Sequence, residues 1–222
     1  MRTLRNNLAT IVLMAMAVAA ISSFPLPVKA DDPSPWQVKT SLILIDTKDP
    51  FAIDKPSGGA VYAGGNAELG ISLGVEYRLS DLVGLEVGMA YAKSPEVTDT
   101  ANDNNDELGE GPSFLPILVG ANFHIVDTGT FDLYVGPRIG YVNFGDFDLD
   151  VDGQQRFYDV SGEFAWGAMA GFAYGFGDSS WSLVAEATYL DVDMKITERG
   201  TSNTVTSQFD PLMVNLGVAY RF

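Results

Sequence analysis

Few residues in this 222-residue chain can make or break bonds. His124 is the only histidine and cysteine is absent. Thiol nucleophiles, disulfides and thiolate or two-histidine metal sites are therefore excluded. No glycine-rich loop opens a helix. One stretch, DLDVDGQQRFYD, has the spacing of a calcium loop: Asp148, Asp150, Asp152, Gly153 and Asp159, with Asp where Glu is usual at the last position. No flanking helices accompany it. A simpler reading makes Asp152-Gly153 a hairpin turn. Phe147, Leu149 and Val151 then continue the outward side of the preceding strand, and Asp146, Asp148 and Asp150 its inward side. The remaining chemistry is that of charge. Lys39, Glu76, Arg78, Glu86, Arg138, Glu186 and Arg221 lie in otherwise apolar stretches, and charges held out of water must pair.

The elements that position these charges show a period of two. In NAELGISLGVEYRL, Leu69, Ile71, Leu73, Val75, Tyr77 and Leu79 alternate with Glu68, Gly70, Ser72, Gly74, Glu76 and Arg78. VGLEVGMAYA, FDLYVGPRIGY, FAWGAMAGFAYGF and the terminal DPLMVNLGVAYRF repeat the pattern. Trp36 to Ile45, Leu115 to His124 and Trp181 to Tyr189 are less regular strands. The sum is eight strands of about ten residues, the length that spans a tilted bilayer path. One face of each is bulky and apolar. The other holds glycine, alanine, serine and isolated charges. That small face makes a poor soluble core and a suitable narrow polar lumen. Aromatic residues such as Tyr77, Trp181, Tyr189, Tyr220 and Phe222 stand near strand ends, where interfacial girdles belong.

The connections alternate. SDL, VDTGT and GDSS join alternate pairs of strands, and about twenty residues join the others. This sorting puts short turns on one side and long loops on the other. The expected fold is all-β, an eight-stranded antiparallel transmembrane barrel with short periplasmic turns and long extracellular loops.

Residues 1–30 read as a cleaved secretory signal peptide: basic Arg2 and Arg5, an apolar run from Leu8 to Ile21, and a small-residue site at Val28 and Ala30. Residues 31–222 are the barrel domain. Cleavage takes Lys plus Arg from 13 to 10 against 29 acids, a net charge of −19. Such a chain repels nucleic acid. The loop from Lys93 to Ser113 carries six acids and one lysine and reads as a solvated surface loop. An acidic rim could bridge divalent cations to lipopolysaccharide.

Strand direction assigns each inward residue a height. Lys39, Glu76, Arg78, Glu86, Asn122, His124, Asp132, Tyr134 and Arg221 fall near the periplasmic end, and Arg138 and Glu186 at mid-height. Ile43, Ala90, Pro116, Leu118, Ala165, Met169 and Met213 fall toward the extracellular end. The charges would form a polar plug, and the apolar set a hydrophobic lumen above it. A hydrophobic solute entering from above would leave sideways. Pro116 and Pro137 lie in adjacent strands and cannot donate ladder hydrogen bonds, so the seam between them is a candidate lateral exit. His124, at the periplasmic end, is badly placed to act on outer-leaflet lipid, and no enzyme, cofactor or metal site is expected.

NAELGISLGVEYRLSDLVGLEVGMAYA, LPILVGANFHIVDTGTFDLYVGPRIGYVNF and FDPLMVNLGVAYRF resemble the OmpW family of eight-stranded outer-membrane proteins. The resemblance covers most of the mature chain and is weakest in the first strand and the long loops. It implies an outer-membrane channel for passive uptake of small hydrophobic molecules, with lateral exit into the membrane. Expected partners are outer-membrane lipid and lipopolysaccharide, small hydrophobic solutes, and the assembly machinery, for which terminal Phe222 resembles the recognition signal. A monomer is expected. The alternative is a structural or adhesive barrel, or a surface receptor for phage or bacteriocin, with a plugged lumen.

Overall fold

The computed structural model of the protein describes residues 34–47, 51–54, 60–63, 68–93, 96–99, 106–151, 153–201 and 204–222. The expected signal peptide, 1–30, lies outside them. Eight long strands form a closed antiparallel barrel. In chain order they are β1 (Trp36–Thr47), β4 (Glu68–Arg78), β5 (Val83–Ala92), β8 (Phe114–Asp127), β9 (Phe131–Phe144), β12 (Glu163–Gly175), β13 (Trp181–Asp191) and β16 (Pro211–Arg221). Each pairs with its sequence neighbour in the set, and β16 closes on β1 from Gln37↔Arg221 to Thr47↔Pro211. A closed sheet leaves no barrel edge unpaired.

Alternation decides which way each strand faces. On β9, Asp132, Tyr134, Gly136 and Arg138 are buried while Phe131, Val135, Ile139 and Tyr141 are exposed. Among the described residues thirty large apolar side chains stand exposed, most of them on the barrel strands, including Leu42, Leu69, Ile71, Val87, Trp166 and Leu216. A soluble protein could not leave so much apolar surface to water. Around a barrel it is the lipid face.

Three connections are short turns. Gly129 has φ of 80° and Gly177 of 60°, left-handed values that suit a residue without Cβ. The long connections carry strands of their own. Among the described residues they fold into β2 (Phe51–Asp54), β3 (Ala60–Ala63), β6 (Glu96–Asp99), β7 (Asp106–Glu110), β10 (Phe147–Val151), β11 (Gln154–Ser161), β14 (Asp193–Glu198) and β15 (Thr204–Gln208). β10, β11, β14 and β15 form a four-stranded sheet, and β2–β3 and β6–β7 are hairpins. Val97 in β6 is buried, so the acidic loop from Lys93 to Ser113 carries an apolar anchor rather than being wholly solvated.

One parity expectation is reversed. β9 keeps its even-numbered residues inside up to Phe144, but β10 buries Phe147, Leu149 and Val151 and exposes Asp148 and Asp150. Gly145 and Asp146 leave the ladder between them. Gly145 donates its N–H to the Ser113 carbonyl at 2.8 Å, and Asp146 Oδ1 accepts the Val160 N–H at 3.2 Å. This bend shifts the alternation by one residue, which exchanges every side chain between the two faces. Asp152 lies outside the described residues; Asp148 and Asp150 of the calcium-loop spacing fall on β10 and Asp159 on β11, a paired hairpin with Gly153 at φ of 73°. Asp148 accepts from Gln155 and Asp159 pairs with Arg199. Among the described residues no cluster of ligands could hold a metal ion.

Candidate functional site: a charged floor beneath an apolar roof

The lumen is built on the inward face of the eight barrel strands. At its centre Lys39 Nζ lies 2.7 Å from Glu86, 2.9 Å from Glu186 and 3.1 Å from Glu76. An ammonium has three hydrogens, so three carboxylates saturate it. Its cationic end also sits 4.5 Å from the centre of the Tyr134 ring. The Tyr134 hydroxyl donates to Glu186 at 2.8 Å. Asn122 donates to Glu76 at 2.9 Å and to Glu86 at 2.8 Å, and its carbonyl oxygen accepts from Arg138 at 2.7 Å.

Glu76 continues the network toward the short-turn end. Its second oxygen lies 2.9 Å from His124 Nε2, while His124 Nδ1 lies 2.8 Å from Asp132. Arg78 bonds Asp132 and, at 2.6 Å, Asp127. Thus Lys39, Glu76, Arg78, Glu86, Arg138 and Glu186 come together with Asn122, His124, Asp132 and Tyr134 in one bonded group. Arg221 stands half-buried at the short-turn end of β16. Asp127 is an addition to the expected set. It is the last residue of β8, and nothing in the sequence signals that Arg78 reaches it.

Glycine makes the room. A Cβ at Gly84 would meet Glu76 Cδ at 2.9 Å, and one at Gly171 would meet Glu186 Cγ at 2.8 Å and the Tyr134 ring at 2.9 Å. Inward glycine facing an inward charge is thus the sequence signal for this site.

Above the network the wall turns apolar. Ile43, Ala90, Leu118 and Met213 are buried there, and they line a cavity with Met169, Lys39, Glu86, Arg138, Glu186 and Asn215. Ala165 is fully buried and packs in the apolar cluster instead. Met169 lines the cavity and also packs with Tyr134, Val184 and Ala219. The cavity offers about 50 Å³ to water, room for a few molecules. Phe114, Phe144 and Phe209 pack in one group, with ring centres 5.2 to 5.9 Å apart. Tyr158, Val160, Met194 and Ile196 extend this apolar packing into the strands of the long connections. Above the cavity the lumen is therefore closed by apolar packing.

The two prolines interrupt different seams. The β8–β9 ladder skips Ala121 and Asn122 against Pro137 and Gly136. The β5–β8 ladder skips Ala90 and Tyr91 against Pro116 and Leu115. The expectation of one shared weak seam is corrected. A strand residue directs its N–H toward a single neighbour, so Pro116 weakens the β5 side of β8 and Pro137 the β8 side of β9. Only the Pro116 lapse adjoins the cavity, through Ala90 and Pro116 themselves.

Known proteins place this architecture. The chain superposes on the outer-membrane protein OprG from Pseudomonas aeruginosa with a TM-score of 0.66 at 19% identity, covering 86% of this chain and 97% of that one. AlkL, solved in DMPC lipid bilayers, gives 0.59 at 17% identity, covering 90% and 96%. Neisserial surface protein A gives 0.55 at 13% identity, covering 86% and 99%. No curated protein sequence matches. At these identities the likeness is one of fold: a closed eight-stranded antiparallel barrel of the outer-membrane kind. A family model, the outer membrane protein beta-barrel domain, matches residues 13–222. The chain therefore belongs to that family, and it is a protein of the bacterial outer membrane.

Proposed function

We propose that this barrel is a narrow conduit for passive uptake of small hydrophobic molecules, of the OmpW type. The observation that carries the reading is the cavity between charged floor and apolar roof, adjoining the Pro116 lapse in the β5–β8 seam. A hydrophobic solute finds apolar contacts at Ile43, Leu118, Met169 and Met213. Below these it meets Lys39, Glu86 and Glu186, whose pairing it cannot replace. The way onward is sideways, between β5 and β8 into the bilayer. A cavity this small requires the Phe114, Phe144 and Phe209 group to part as the solute enters. The reading needs no catalysis: His124 is buried and both ring nitrogens face carboxylates.

Uptake of a fluorescent hydrophobic probe into vesicles holding the purified barrel tests this. Leu118→Glu and Met169→Lys should each lower the initial rate to that of empty vesicles. Unchanged uptake in both variants overturns the proposal. A second reading has its own support. The packing above the cavity suits a plugged barrel whose role lies in its extracellular strands, as adhesin or as receptor for phage or bacteriocin. Uptake no faster than in empty vesicles for the unmodified protein favours it. Residues 1–30 are read as the signal peptide, and an N-terminus at Asp31 in protein purified from outer membranes would agree. Phe222, after β16, is read as the signal to the assembly machinery, with lipid and lipopolysaccharide as surroundings and a monomer as the working form.

A further inference from the structure

The network at the periplasmic end has a feature that ion pairing alone leaves unexplained. His124 is held by two carboxylates, one on each ring nitrogen: Asp132 on β9 at 2.8 Å and Glu76 on β4 at 2.9 Å. An ionised carboxylate only accepts hydrogen bonds, whereas a neutral imidazole has one donor and one acceptor. With a neutral ring, one lone pair would face a carboxylate inside a buried site, an arrangement that costs rather than stabilises. The charge count points the same way. Among the described residues the floor holds Glu76, Glu86, Glu186, Asp127 and Asp132 against Lys39, Arg78, Arg138 and Arg221. One further positive charge balances it, and His124 is the group able to supply it.

We infer that His124 is an imidazolium at neutral pH, bridging β4 to β9 across the lumen, and that it is the pH-responsive fastening of the periplasmic floor. The groups around it come from every neighbouring strand. Glu76 and Arg78 face it from β4, Asp132 and Tyr134 from β9, and Asp127 from its own strand. Arg221 stands at the same end on β16, and Lys39 and Glu86 act through Glu76 and Asn122. Arg78 opposes the imidazolium charge, and the two contacting carboxylates favour it. The sign follows. Both bonds are complete while the ring keeps its second proton, and one is lost as rising pH removes it. The Lys39 group remains, so the expected change is a looser floor rather than an unfolded barrel. The inference builds on the closed floor of the proposed conduit but does not need a hydrophobic cargo.

His124 is the only histidine, so ¹⁵N-histidine labelling of the whole protein reports on it without assignment. In detergent near neutral pH, both ring nitrogens should show the shift and one-bond proton coupling of a protonated imidazolium. In Glu76→Gln, whose amide can donate to Nε2, one nitrogen should lose its proton. Asp132→Asn provides the same comparison should that variant fail to fold. In planar bilayers the unmodified protein should pass more ion current as pH rises through the titration seen by NMR, and a folded variant should lack this step. A ring with one unprotonated nitrogen near neutral pH in the unmodified protein overturns the inference. So does a current without a step at the NMR titration. Probe uptake is read separately: failed uptake with a protonated ring sinks the conduit and leaves the fastening standing.

Discussion

Around Lys39 the lumen is closed by groups that need one another in fixed number: one ammonium, three carboxylates, and an asparagine and a tyrosine that take the remaining bonds. Around Phe114 it is closed by rings and aliphatic chains with no bond to satisfy. Removing a floor residue strands a charge, and the others cannot relax to cover it. Removing a roof residue leaves space that neighbours partly fill. The floor is therefore the rigid end of the lumen and the roof the deformable one. For a conduit, that places the entrance above and the barrier below.

Substitutions can break or sharpen this contrast. The largest effect is expected for Lys39→Met, which leaves Glu76, Glu86 and Glu186 without their shared cation. It should lower the unfolding free energy by about 4 kcal/mol, measured by urea titration of the barrel in vesicles. A loss no greater than that of a roof substitution would remove the distinction. Phe144→Ala should cost about 3 kcal/mol through its cavity and should raise probe uptake, since the roof then opens with less displacement. A stability loss without faster uptake would argue that the roof is not the entrance. Gly84→Ala puts a methyl against the Glu76 carboxylate and should cost about 2 kcal/mol by overpacking. The smallest effect belongs outside the membrane. Lys195 Nζ lies 2.7 Å from Glu163, and that hydrogen bond, with the carboxylate's charge, holds the lysine above its usual range. The pair is exposed, so solvent screens it, and Lys195→Met should leave the urea midpoint where it was.

Much of this was legible in the sequence because alternation is local. Leu69, Ile71, Leu73 and Val75 against Gly70, Ser72 and Gly74 announce a strand with a lipid face and a lumen face before any partner is known. Strand direction then put Lys39, Glu76, Glu86 and His124 at one end. Which carboxylates Lys39 reaches was not legible. That depends on the stagger between β1, β4, β5 and β13, which no single strand encodes. The reversal at Gly145 was hidden for a related reason. Phe147 to Val151 alternate as regularly as β9 does, and only the bend held by Ser113 and Asp146 shows that the phase has shifted. That a proline cannot donate to its ladder is legible from the residue alone. The side on which each proline interrupts its ladder is a property of the assembled sheet.

The seam between β1 and β16 joins Gln37 to Arg221, nearly the whole described length of the chain. Contacts so far apart in sequence make folding slow, because a large loop must close before they form. Until then β1 and β16 each present a row of unused hydrogen bonds to any passing strand. The last strand thus sets the clock for the first. The time a half-built barrel stays open to aggregation, and to whatever guards it, is fixed by the arrival of its final eleven-residue strand.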